Sequence, residues 1–138
     1  MATITLKGRE IPLLYTTWEM KQVQEEVAPI NRAIKLVLGR NPDDEKDQTK
    51  YGSAEHLNAL AKMLRIMGNA GLEEAGEEAN LSDKKVMRAL KPVDLSDAVA
   101  ACLTAMTEGM SSEIPDKEEE GPVDVTLEAM KKKEAKEN

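Results

Sequence analysis

The sequence predicts a mainly α-helical, compact domain with a small N-terminal β-hairpin and a flexible acidic C-terminal tail. Three observations carry that expectation. Aromatic residues make up only 2% of the 138, namely Trp18, Tyr15 and Tyr51 with no Phe, so a core must come from aliphatic residues and eight methionines. Such a palette suits packed helices better than a β-sandwich. Leu57, Leu60, Ala61, Leu64 and Met67 recur on one face at the helical period of about 3.6 residues. Thr16, Ser53, Ser82 and Asp94 or Ser96 stand where helix caps belong. The length fits one helical domain over residues 1–110, with the hairpin in 1–15, followed by a charged segment over 111–138.

Taken in order, Ile4 and Leu6 alternate with Thr3, Thr5 and Lys7, the period-2 pattern of a half-buried strand. Gly8-Arg9 signals a turn, and Glu10 to Tyr15 can return as a second strand. Pro12 cannot donate to a ladder, so that strand belongs at an edge. Thr16 and Glu19 have capping-box spacing and open a helix from Trp18 to about Val27. Pro29 interrupts it, and Ile30, Ile34, Val37 and Leu38 form a stripe ending at Gly39. The polar stretch 40–52 reads as an exposed loop.

Ser53 opens the clearest helix, which Gly68 and Gly71 are expected to close. Leu72 to Ala79 then reads as a short acidic helix. Ser82 caps another that carries Val86, Met87 and Leu90 and stops before Pro92. The last core helix presents Leu95, Val99, Cys102, Leu103, Met106 and Met110 on one side, with Gly109 as its expected stop. Beyond Met110 half the residues are charged, with Pro115, Pro122 and the runs EEE and KKK. That segment cannot bury enough apolar surface to offset its ordering entropy, so it is expected to be disordered in isolation. Val123, Val125 and Leu127 alternate within it and read as a short motif to be held by a partner.

Net charge is −7, from 26 acids against 19 bases, with a pI near 4.9. A negative field repels phosphate backbones and anionic lipid, so neither nucleic acid nor a membrane surface is expected as partner. One cysteine excludes an internal disulfide framework and fits a reducing cytosol. The opening residues lack a signal-peptide pattern, and no apolar run approaches the ~20 residues of a membrane span.

No catalytic, metal or cofactor signature emerges. Asp43, Glu45 and Asp47 begin like a calcium loop, but Gln48 and Ala54 occupy its two diagnostic places, leaving a solvated loop. Glu73, Glu74, Glu77 and Glu78 would repel one another at i, i+4 on a helix. They read as a solvated face or as a docking surface for a basic partner, and paired-carboxylate catalysis lacks a neighbour to split their pKa values. His56 and Cys102 are the only nucleophile–base candidates. His56 reads as an ordinary exposed imidazole in a first helical turn, and Cys102 as a small core residue. Met63 and Met67 share one helix face and read as core filler or as an adaptable partner surface.

The layout as a whole resembles the tail assembly chaperones of long-tailed phages and prophages of Gram-positive bacteria. The likeness lies in ITLKGREIPLLYTTWEMKQVQEE, in LSDKKVMRALKPVDLSDAVAACLTAMTEGM and in the tail EEEGPVDVTLEAMKKKEAKEN. It implies a mainly helical, non-enzymatic protein of the bacterial host cytoplasm without cofactors. Such a protein coats the tape measure protein, helps recruit tail tube protein and is absent from the mature virion. It also implies modest self-association, for which the hairpin edge is available by strand addition. In many phages a frameshift yields a longer form, and this chain would be the short one. The residues expected to touch partners are Val123, Val125 and Leu127, then Ile4 and Leu6, then the Met63/Met67 face. Alternative readings are a small acidic adaptor or regulator of phage or prophage origin, a subunit retained in the virion, and a metal-using enzyme built on the acidic helix.

Overall fold

A computed structural model describes residues 1–111 apart from 45, 48 and 49. Two strands, β1 (Thr3–Leu6) and β2 (Arg9–Pro12), form an antiparallel hairpin. Among the described residues five helices follow: α1 (Thr17–Glu26), α2 (Ile30–Val37), α3 (Ala54–Glu74), α4 (Asp83–Ala89) and α5 (Leu95–Met110). A single 3-10 turn at Pro92–Asp94 leads into α5. The mainly helical architecture with an N-terminal hairpin is the one the sequence predicts.

Leu6 faces Arg9, so the hairpin turns on two residues, Lys7 and Gly8, one position earlier than the sequence suggests. Both have positive φ, 51° and 78°, the geometry whose twist matches paired strands. Pro12 opposes Thr3, a position outside the ladder bonds, so its missing N–H costs nothing there. Ile4, Leu6 and Ile11 turn one face of the hairpin into the core.

The chain then runs from Ile11 to Tyr15 across α3 and α5. Leu13 N–H donates to the Ala2 carbonyl at 2.9 Å, and Leu14 N–H to the Met67 carbonyl at 3.0 Å. This crossing explains two of the three glycines that the sequence presents as helix stops, Gly71 and Gly109, while Gly68 makes room for the Leu81 side chain. Gly68 and Gly71 lie inside α3, which continues to Glu74, and Gly109 lies inside α5. A Cβ on Gly71 would fall on the Pro12 carbonyl, and one on Gly109 on the Tyr15 carbonyl. They are seats for a strand, not terminators.

The stop of α3 is Gly76, with φ 76°. Gly76 N–H donates to the Glu73 carbonyl and Glu77 N–H to the Leu72 carbonyl at 2.8 Å, the paired bonds of a Schellman cap. The acidic helix expected over 72–79 therefore does not form. Its first three residues are the last turn of α3, and Glu77 instead pairs with Arg9 at 3.1 Å.

Capping at Thr16, Ser53 and Ser82 follows the sequence, whereas Asp94 stands at the N-cap of α5 without a side-chain cap bond and Ser96 lies inside that helix. The Glu19 carboxylate accepts from the Thr16 N–H at 2.9 Å and from its hydroxyl. Ser53 and Ser82 accept from His56 N–H and Lys85 N–H, each at 3.1 Å. Asp83, at the start of α4, gathers Lys62 Nζ at 2.9 Å and Arg65 Nε at 2.6 Å, and Arg65 also reaches Glu26. That cluster ties α1, α3 and α4. Burial raises the Asp83 pKa, but Arg65 and Lys62 more than offset this and hold it below the usual carboxylate range. Asn69 clasps both backbone groups of Leu81, at 2.9 and 3.1 Å, fixing the loop after α3.

The core centres on α3. Met63 and Met67 are fully enclosed there, with Leu60, Leu64, Val23, Val37, Val86 and Cys102 around them. The expectation that they offer a partner face is corrected: β2 covers one flank of α3, and α2 and α4 cover the others. Ile4 and Leu6 are likewise inward-facing core residues, because the hairpin lies over α3 and α5 and does not stand free.

Candidate protein-binding groove

Leu57 of α3 stays partly exposed, beside the buried Leu60 and Ala61. Alongside the N-terminal half of α3, α4 ends at Ala89, and the chain turns through Pro92 to start α5 at Leu95. Between them lies a groove of about 360 Å³, lined by Leu57, Leu60 and Ala61 of α3, Met87 and Leu90 of α4, then Pro92, Leu95 and Gly52. No charged or hydrogen-bonding side chain lines it. Met87 is exposed at its mouth, and Val93 on the adjoining turn is 81% exposed. A groove of this kind recognises aliphatic shape and carries no chemistry of its own.

Gly52, which lines the groove, is held by His56. Far from being an exposed imidazole, it is completely buried. Gly52 N–H donates to its Nδ1 at 2.9 Å, so Nε2 carries the proton and donates to the Val37 carbonyl at 2.9 Å. Tyr51 packs on the ring, with centroids 4.6 Å apart. Tyr51 also sits against Gly39, whose φ of 78° and absent Cβ admit it. One imidazole thus fastens the end of α2 to the start of α3 and closes the loop between Gly39 and Gly52. Burial lowers its pKa, partly opposed by the bond to Val37.

His56 cannot serve as a general base here, since both ring nitrogens are committed. Cys102 is enclosed in α5, and burial pushes its thiol up to about 12. A thiol held protonated is a poor nucleophile. Native protein should therefore resist a thiol reagent over the time in which denatured protein reacts fully. Rapid stoichiometric labelling without denaturant would contradict this placement of Cys102.

The remaining sequence candidates disperse. Asp43 pairs with Arg32 at 3.0 Å, and Asp47 accepts from the Asn41 side chain at 3.1 Å, while Glu45 and Gln48 lie outside the described residues. Glu73, Glu74, Glu77 and Glu78 point to solvent around the end of α3 and the turn after it. Among the described residues no group of three or more His, Cys, Asp or Glu side chains could hold a metal ion. No helix among them is long and apolar enough to cross a membrane. Val123, Val125 and Leu127 lie outside the described residues.

Sequence reasoning assigned Leu57, Leu60 and Ala61 to a helix face and Met87 and Leu90 to another, but it did not join them. The signal was present in the apolar surplus of the α4–α5 corner, where Leu90, Pro92, Val93 and Leu95 stand close together. No protein-family model, curated protein or solved structure matches this chain.

Proposed function

We propose that this protein is a non-enzymatic assembly chaperone of a phage tail. It shields an apolar helical segment of the tape measure protein until tail tube subunits replace it. The observation that carries this reading is the uncharged aliphatic groove between α3 and the α4–α5 corner, on a chain of net charge −7. Apolar grooves take the apolar stripe of an amphipathic helix, and Met87 at the mouth can adapt to varied side chains. Surplus negative charge keeps a complex with an apolar partner soluble. A small contact area keeps each contact weak enough to release.

Co-expression with a phage tape measure protein tests this directly. The expected result is a soluble complex with several copies of this chain per partner, seen by pull-down and light scattering. Met87→Asp sits at a solvent-facing position, so the fold should survive while binding weakens by roughly tenfold or more. If the variant bound as wild type, or the partner precipitated regardless, the chaperone reading would fail. The alternative, an acidic adaptor that holds a basic partner by charge, predicts binding that collapses in high salt. An apolar groove contact should persist there.

A further inference from the structure

A two-stranded sheet leaves each strand one open edge. The edge of β2 lies toward α3, where Gly71 seats the Pro12 carbonyl. The edge of β1 faces a different groove. Since Leu6 and Arg9 flank a two-residue turn, Leu6 and Ile4 exchange the ladder bonds with Arg9 and Ile11. The amides and carbonyls of Thr3 and Thr5 therefore point outward. They border a groove of about 700 Å³ whose far wall is the end of α4, the 3-10 turn and the start of α5.

The rim of that groove is basic on an otherwise acidic protein. Lys7, Arg88 and Lys91 line it, and an adjoining cleft that shares Lys7 and Arg88 adds Lys84. None of these four has an acidic partner among the described residues. Two acids also face the groove. Asp94 accepts from the Lys91 N–H at 3.1 Å, and Asp97 is exposed. Cations outnumber them, so the rim suits an acidic extended peptide.

The chain itself supplies one, and leaves the fold beside it. Ala2 N–H donates to the Glu108 carboxylate at 2.9 Å, which places the end of α5 next to the start of β1. From Ser111, seven residues reach Glu118, a span of up to about 23 Å. β1, with four residues, is only about 13 Å long. The sequence there reads EEEGPVDVTL, three acids followed by aliphatics at period 2.

We propose that segment 118–127 of this chain docks in cis on the open edge of β1. Val123, Val125 and Leu127 form an antiparallel third strand there, and Glu118 to Glu120 lie among Lys7, Arg88 and Lys91. The inference is independent of the chaperone reading. It means that the motif is covered until a competitor displaces it.

Amide hydrogen exchange on the full chain tests it. Thr3 and Thr5 amides should exchange at least about tenfold slower than open-edge amides, and unchanged on dilution. Asp124→Pro/Val125→Pro removes a ladder donor whichever way the segment is registered. It should release Thr3 and Thr5 while Ile4 and Leu6, bonded to β2, stay protected. Fast exchange of Thr3 and Thr5 in wild type overturns the proposal, as does protection that survives the double proline. Protection lost on dilution would assign the strand to a second copy and overturn docking in cis. If the proline variant also opened Ile4 and Leu6, Arg88→Glu/Lys91→Glu decides. Loss of Thr3 and Thr5 protection there supports the proposal, and unchanged protection sinks it.

Discussion

Replacing Gly71 by alanine should destabilise the protein by roughly 3 kcal/mol, although alanine is the better helix former. Propensity alone favours the change by about 1 kcal/mol in a helix interior. Packing opposes it more strongly. The new Cβ would lie 2.0 Å from the Pro12 carbonyl oxygen and 2.5 Å from its carbon. That carbonyl belongs to backbone fixed on both sides, by pairing in β2 and by the Leu14–Met67 bond, so it cannot swing away as a side chain could. Relief requires lifting the Ile11–Tyr15 crossing off α3, at a cost at the upper end for overpacking. Gly68→Ala is the comparison. Its Cβ would meet Leu81 Cδ1 at 2.7 Å and Ile11 Cγ2 at 3.4 Å, and the tip of a half-buried leucine can rotate. That variant should stay within about 1 kcal/mol of wild type. Chemical denaturation of both variants measures the contrast. Equal stabilities, or a gain at Gly71, would mean that the crossing does not rest on this seat.

The same glycines mark where sequence reasoning stops. Caps and periods are local, so Thr16 with Glu19, Ser53, Ser82 and the 57–67 stripe could be placed without knowing the fold. A glycine inside an apolar stripe carries two meanings, a stop or a seat, and only the chain that crosses it decides. Pro12 lies 59 positions before Gly71, beyond the reach of any pattern. Gly76 had the weaker local signal, since it follows the point where apolar periodicity lapses, yet it is the stop. Met63 and Met67 show the same limit. Their spacing told which face they share, while α2, α4 and β2 determined that no surface remains on it. The groove was least legible, because it is what three elements leave uncovered when they pack.

His56 shows how one such long-range contact becomes a measurable property. It is the only histidine in the chain, so titration near neutral pH can be assigned to it. Buried and neutral, it accepts from Gly52 and donates to Val37. Its folded pKa lies below the 6.5 of an unperturbed imidazole, through burial, with the Val37 bond partly opposing. The unfolded chain therefore binds more protons than the folded one once pH drops toward 6.5. Stability from this group is complete above that value and declines as pH falls, by at most about 1.4 kcal/mol per unit, until the folded imidazole itself titrates. Carboxylates, with unfolded values near 4, add little between pH 7 and 5.5. Wild type should lose stability across that interval, while His56→Ala should show a flat profile. At pH 7 the alanine variant should already be about 3 kcal/mol less stable, because it leaves a cavity and strands the Gly52 N–H and the Val37 carbonyl. Urea unfolding at several pH values reads both effects. A wild-type profile as flat as the variant's would mean that the imidazole is not held neutral between α2 and α3. Gly52, which lines the groove, would then lack the support assigned to it.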